Sequence, residues 1–389
     1  MDISSLTLTK QWMAHTIAAS NEPEIYAGSR RGIPYQSKGD DQKTLKEKHE
    51  SKFLTSKAIE DFQQRAHGTN PPKFKEEVWP LISSEVRLVY YNTLIAKRQL
   101  QSKANVETLL RKQLAEGTPE NESEESIVKI LGLPEGDAFS WDHLGHPERK
   151  YGFESINDFT SVEHWNKWLL GYLQQDAADA REGNVKGPLK AALDVLREIR
   201  NDIRLIVNNQ GLDSESHVKD LAWFTGYNSF LSVGPPRRRV EQMIALMDAN
   251  VLKTLGPGLT IKPDGDRWTA ASDITESQTT VQTLIDASVS APKLSITADE
   301  LLKHLCDTEQ CRAHSIGKDE TGAIDINSDF KVINKAGESY SRRFALGVPA
   351  EGVHWATTIQ PRPYMDSISL RQTDAVARAA LRLGAGDIN

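Results

Sequence analysis

Over much of its first two thirds the chain repeats apolar residues at three- and four-residue spacing, the period of a helix with one buried face. The clearest run starts at Pro188. Leu189, Ala192, Leu193, Leu196, Ile199, Ile203 and Ile206 share one stripe, the proline suits a first helical turn, and Gly211 follows the last. That spacing predicts a single helix across the whole run. A second stripe, Leu81, Ile82, Val86, Val89, Tyr90 and Leu94, predicts a helix over Trp79–Ile95 whose aromatic residues serve the core. Two more helices are predicted, one from Ser161 to Arg181 ending at Gly183 and one from Asp213 through Trp223. The acidic stretch Glu120–Glu125 reads as a solvated helix start.

The pattern changes at Gly234-Pro235-Pro236. An amphipathic helix from Arg237 to Leu252 precedes short strands at Leu259–Lys262, Arg267–Ala270, Thr280–Asp286, Lys331–Ile333 and Arg343–Val348, and a final helix covers Arg371–Leu383. Near the other end, Ile25-Tyr26-Ala27 reads as a strand that stops at Gly28. The expected fold class is therefore mixed α/β with a large, mainly helical insertion. Its parts are residues 1–38, a helical subdomain over 39–233, and an α/β segment over 234–389.

Composition narrows the partners. With 38% hydrophobic residues in 389, the chain can fill real cores. Lys+Arg 47 against Asp+Glu 54, a formal charge of -7, argues against a nucleic-acid surface. The sequence has no membrane-length apolar run and only two cysteines, so a cytoplasmic protein is expected.

Four segments could carry chemistry. In Gly28-Ser29-Arg30-Arg31-Gly32, arginines at the carboxyl end of a strand either grip the 2'-phosphate of a dinucleotide or form a solvated basic loop. Gly347-Val348-Pro349-Ala350-Glu351-Gly352-Val353-His354-Trp355 follows a strand and combines glycines, which allow close backbone approach, with polar and stacking groups. The helix beginning near Ser369–Arg371 either turns its free amides toward that loop or is an ordinary capped helix. Finally, His304, Cys306, Cys311 and His314 are either loosely spaced zinc ligands or buried cysteines beside a surface histidine. Both G-x-G-x-x-G and the phosphate loop G-x-x-x-x-G-K-[ST] are absent, and Gly256-Pro257-Gly258 reads as an ordinary turn.

Tyr26-Ala27-Gly28-Ser29-Arg30-Arg31-Gly32-Ile33-Pro34-Tyr35 resembles the stretch after the nicotinamide-binding strand in the FAD/NAD(P)-binding flavoproteins related to urate hydroxylase and aspartate N-monooxygenase. Two further stretches resemble the same group: Gly234–Gln242 leading into Met243–Met247, and Phe344–Trp355. The latter continues into Pro361-Arg362-Pro363, Asp366-Ser367 and Asp374–Leu381, so the resemblance runs from Ile25 to Leu383. It implies an incomplete Rossmann-like FAD/NAD(P)-binding portion, with residues 1–38 a remnant of the nicotinamide-binding segment and Thr283–Ala287 a returning strand. It implies a monooxygenase-like oxidoreductase using FAD and NADP(H), with Ser29, Arg30 and Arg31 toward the NADPH phosphate. Gly347, Val348, Pro349, Glu351, Gly352, His354, Trp355 and Asp374 would lie beside the flavin. The family's N-terminal glycine-rich FAD segment has no counterpart in this sequence. The expectation is a chain that needs a separately encoded FAD-binding half, the alternative being a non-catalytic interaction module or a vestigial flavoprotein.

Overall fold

The computed structural model describes residues 24–44, 47–101, 104–117, 120–288, 292–358 and 367–385. Pro361–Pro363 and Asp366 of the resemblance lie outside them. After strand β1 (Ile25–Ala27), the helical part contains α1 (Ser56–Arg65), α2 (Trp79–Lys97), α3 (Val106–Glu116), α4 (Glu120–Leu131), α5 (Trp141–Gly145), α6 (Val162–Lys186), α7 (Pro188–Glu198), α8 (Arg200–Val207) and α9 (Ser214–Ser232). Side chains cap several of these where expected. Ser161 Oγ accepts the His164 N–H at the start of α6, and Asp213 accepts Glu215 and Ser216 N–H groups at the start of α9.

The predicted stripes are the packing faces. Ala192, Leu193 and Leu196 of α7 are buried with Ile82, Val86 and Leu94 of α2, and the two helices form the central pair, with α6 alongside α7. The long helix expected from Pro188 is two helices. Ile199 (φ -84°, ψ 6°) interrupts the regular backbone, yet its side chain and those of Ile203 and Ile206 stay buried, so the stripe continues across the break. On α2 the fully buried aromatic residue is Tyr91, which the stripe omitted.

Gly183 breaks α6 internally at φ 87°, ψ 176°, a conformation that requires glycine, and a side chain there would run into Gln42. The acidic start of α4 is less solvated than expected, because Glu124 is buried and pairs with Arg87 and with the Tyr91 hydroxyl.

Helix α10 (Arg237–Asp248) leads into β2 (Leu252–Thr254), which pairs in parallel with β1 in the register Ile25–Leu252, Tyr26–Lys253, Ala27–Thr254. The remaining strands are β3 (Thr260–Asp264), β4 (Arg267–Ser272) and β5 (Ser277–Val281) in one antiparallel sheet, then the hairpins β6 (Ala313–Ile316) with β7 (Asp319–Ile324) and β8 (Lys331–Ile333) with β9 (Ser339–Phe344). Helix α11 (Glu300–Asp307) precedes β6, and α12 (Ile368–Ala385) is the last described element. A second, smaller core gathers Leu294, Cys311, Ile324, Val332 and Val353, whereas Ile33, Val240 and Trp355 join the helical core.

Two strand expectations are corrected. The segment Thr283–Ala287 is not a strand: β5 stops at Val281, opposite Trp268, and one residue further β4 enters its turn, so no partner remains for the chain beyond. Ile285 is accordingly 84% exposed. The strand expected over Arg343–Val348 lies earlier, ending at Phe344 before the left-handed turn at Gly347 (φ 75°). Strands β2, β6 and β7 were not anticipated; β2 has only three residues, too few to show alternation. No helix among the described residues is long and apolar enough to cross a membrane.

Candidate functional site at the carboxyl ends of two parallel strands

Because β1 and β2 run parallel, the loops that leave their carboxyl ends emerge on the same side, the position at which open α/β sheets receive ligands. The loops bind each other. Gly258 N–H donates to Arg30 O at 2.8 Å, Leu259 N–H donates to Ser29 O at 3.3 Å, and Ser29 Oγ accepts Gly32 N–H at 2.9 Å. At Gly32 (φ 74°) a side chain would meet the Pro257 backbone and the Trp165 ring, so close packing and positive φ both call for glycine. Gly256-Pro257-Gly258 is thus the other wall of the arginine loop, a role its composition did not reveal.

The two arginines are placed differently. Arg30 is exposed. Arg31 turns inward: its guanidinium donates to Gly145 O at 3.2 Å and sits 4.0 Å from the centroid of the Phe230 ring. The chain then runs as a strap along the helices. Gln36 N–H donates to Phe230 O, Ser37 N–H to Asp176 Oδ2 at 2.9 Å, and Lys38 N–H to Pro235 O. Beneath the strap, Asp176 and Lys190 form a buried ion pair at 2.5 Å.

The segment Gly347–Trp355 divides into an outer tip and an inner arm. Val348 and Pro349 are exposed, while Glu351 Oε2 accepts from the Thr357 backbone and hydroxyl. Gly352 (φ 124°) lies against Thr321, so close that a Cβ would touch its hydroxyl. The inner arm holds His354 and Trp355. The Trp355 ring stacks on Phe224 at 5.8 Å, its Nε1–H donates to Thr225 Oγ1 at 2.8 Å, and its backbone N–H donates to Asn208 Oδ1. Arg204 donates to the carbonyls of Trp355 and Ala356; burial, with Arg371 at the start of α12 nearby, lowers its pKa to about 10. Both candidate groups are therefore fastened to α9, Arg31 at Phe230 and Trp355 at Phe224, about 9 Å apart along the helix axis. Asp374 is not drawn into either group and pairs on the surface with Arg378 at 2.7 Å.

His354 is 7% exposed and stacks on Phe330 at 5.3 Å, and neither ring nitrogen has a hydrogen-bond partner among the described residues. It shares the seam between helices and small sheet with His217 and His314. Burial lowers the pKa of all three, and that of His217 to about 4. The unfolded chain titrates near 6.5 and takes up these protons first, so folding stability should be lost as pH falls from about 6.5 toward 4, by up to about 3 kcal/mol for His217. Urea unfolding from pH 7.5 to 4.5 measures this, with His217→Gln flattening the profile; a profile unchanged by that substitution would show that His217 contributes nothing.

The four possible zinc ligands do not converge. His304 is exposed, His314 is buried with its ring nitrogens on Gln210 and Thr321, and no metal-binding group of three or more His, Cys, Asp or Glu occurs among the described residues. A cleft of about 520 Å³ lies elsewhere, lined by Tyr90, Phe139, Leu144, Lys150, Asp179 and others but by none of the residues to which the sequence assigned chemistry. It borders the arginine loop through Leu144, next to the Gly145 that receives Arg31. Burial raises the Asp179 pKa there.

No protein-family model matches the chain. It is 44% identical over 366 residues to the nitrosuccinic acid synthase npaA of Aspergillus oryzae, covering 93% of this chain and 54% of the relative. It is 39% identical over 373 residues to an L-aspartate N-monooxygenase (nitrosuccinate-forming) of Streptomyces davaonensis, covering 94% and 56%, and 38% identical to the enzyme of that name from Streptomyces cremeus, covering 93% and 54%. Over nearly its whole length the chain is thus related to aspartate N-monooxygenases, and it spans about half the length of the curated relatives it matches.

Proposed function

We propose that the chain forms the nicotinamide-side portion of a flavin- and NADPH-dependent N-monooxygenase that acts on the amino group of an aspartate-like amino acid. The similarity over 94% and 93% of the chain to two enzymes named L-aspartate N-monooxygenase carries the reading. The parallel strand pair supports it: β1, α10 and β2 bring two glycine-bearing loops together at the strand ends, with the exposed Arg30 able to face a phosphate.

When bound, a nicotinamide cofactor would supply hydride to a flavin, whose reduced form would activate dioxygen for transfer of one oxygen atom to the amine. This chain's own contribution is positioning. Arg30 fits the 2'-phosphate as an exposed guanidinium at the strand end, with Ser29 shaping the turn beneath it. Arg31, held by Gly145 O and Phe230, serves to anchor that loop. At the second locus Gly347, Val348 and Pro349 form the side open to a flavin, while His354 and Trp355 point into the protein. The described residues offer no glycine-rich cradle for the FAD diphosphate, so we assign that contact to the part of the relatives' length not spanned here, whether joined to this chain or carried on a second polypeptide.

The test is to combine the chain with the complementary portion of such an enzyme and record flavin absorbance and L-aspartate-dependent NADPH oxidation. Both should appear only in the combination. Flavin held by this chain alone would overturn the division of labour, and oxidation indifferent to the amino acid would overturn the substrate class. In the active combination Arg30→Ala should weaken NADPH binding roughly 10- to 100-fold, the loss of a charge-assisted contact, and leave NADH nearly unchanged. Equal loss for both cofactors would remove Arg30 from the phosphate site.

A further inference from the structure

Cys306 lies in the last turn of α11 and Cys311 stands just before β6. The turn between them is held by the backbone. Glu309 adopts the left-handed conformation (φ 60°), which lets Gln310 and Cys311 N–H groups both donate to Leu305 O, at 2.8 and 3.1 Å, while Glu309 N–H donates to Cys306 O at 3.0 Å. This places the two sulfurs 3.4 Å apart, so that local side-chain adjustment suffices to reach the roughly 2.0 Å of a disulfide. Their surroundings are unequal. Cys306 is half-buried, packed against the edge of the smaller core, whereas Cys311 is 3% exposed within it. Burial and the hydrogen bond with Cys306 raise the pKa of Cys311. No residue of the arginine loop or of the Gly347–Trp355 segment hydrogen-bonds the sulfurs, although Cys311 shares the smaller core with Ala350 and Val353 of that segment.

We propose that Cys306 and Cys311 form a peroxide-sensitive dithiol, in which Cys306 is oxidised first and Cys311 resolves it to an intramolecular disulfide. The Cys306 thiolate attacks a hydroperoxide; its sulfur gains one oxygen, the O–O bond breaks, and water or an alcohol leaves with the incoming proton. The Cys311 thiol then displaces hydroxide from the Cys306 sulfenic acid, and its proton leaves with that hydroxide as water. In sum the two thiols lose two protons and two electrons, and the hydroperoxide takes up both pairs to give water and either a second water or an alcohol. The bond ties the end of α11 to the start of β6. Helix α11 has no fully buried residue of its own, and Leu302, Leu305 and Cys306 are what pack it on the smaller core.

The experiment is a hydrogen peroxide titration of the reduced chain, read by intact mass and by thiol counting with an aromatic disulfide reagent. The expected product lacks two hydrogens, has lost both reactive thiols, yields a peptide linking residues 306 and 311, and returns to the starting mass with dithiothreitol. In Cys311→Ser a dimedone adduct should accumulate on Cys306, and in Cys306→Ser peroxide should leave Cys311 as a thiol. Retention of two free thiols at peroxide concentrations that oxidise glutathione would overturn the proposal, as would oxygen addition without a disulfide in the unmodified chain. The unmodified chain decides the matter even if a variant fails to fold.

Discussion

Asp176→Ala should destabilise the fold by about 3–5 kcal/mol, the cost of leaving one member of a buried ion pair without its partner. Lys190 and Asp176 are 2% and 4% exposed at their side chains, and the second Asp176 oxygen accepts the Ser37 N–H. Alanine would strand a buried ammonium and a buried backbone donor together. The ammonium keeps only the longer contact to Gln36 Oε1, at 3.4 Å. Because the strap over residues 36–38 leads straight from the arginine loop, the same substitution should loosen NADPH binding in the active combination, although Asp176 is not placed at the phosphate. Urea unfolding measures the first effect. The double variant Asp176→Leu with Lys190→Met should recover most of the loss, since apolar side chains of similar size remove the stranded charge. A cost below about 1 kcal/mol for Asp176→Ala would mean that the pair does not hold the strap.

Trp355→Ala should cost a similar 3–5 kcal/mol, the range for truncating a large buried aromatic side chain. The ring stacks on Phe224, its N–H is satisfied by Thr225, and Arg204 grips the adjoining carbonyls, so the residue clasps the Gly347–Thr358 segment onto α9. Trp355→Phe retains the stacking and loses the hydrogen bond, and should cost about 1–2 kcal/mol. The measurement is the unfolding midpoint of the chain with no flavin present. If Trp355→Ala left that midpoint unchanged and reduced only flavin binding in the combination, the tryptophan would be a cofactor contact after all.

These two expectations mark where sequence pattern and site diverge. Glycines, a histidine and a tryptophan after a strand suggested one ligand-facing loop over residues 347–355, yet only its tip faces outward. Paired arginines after a strand suggested two phosphate ligands, and Phe230 and Gly145 take one of them for anchoring. The turn Gly256-Pro257-Gly258 and the cleft around Asp179 carried no signal in one dimension, because their lining comes from segments far apart in the chain.

What the sequence determined by itself is whatever repeats locally: the stripes of α2 and α7, the caps at Ser161 and Asp213, the glycine break at Gly183, and strand β8. Backbone period and capping chemistry depend on neighbours within a few residues, so composition and spacing are enough. The tertiary structure alone decided that Ser37 meets Asp176, 139 positions away, that Arg31 turns inward while Arg30 does not, and that Trp355 closes on Phe224. A buried charge or ring is stable only where a partner satisfies it, and that partner is chosen by the packing of distant segments, which no local pattern records.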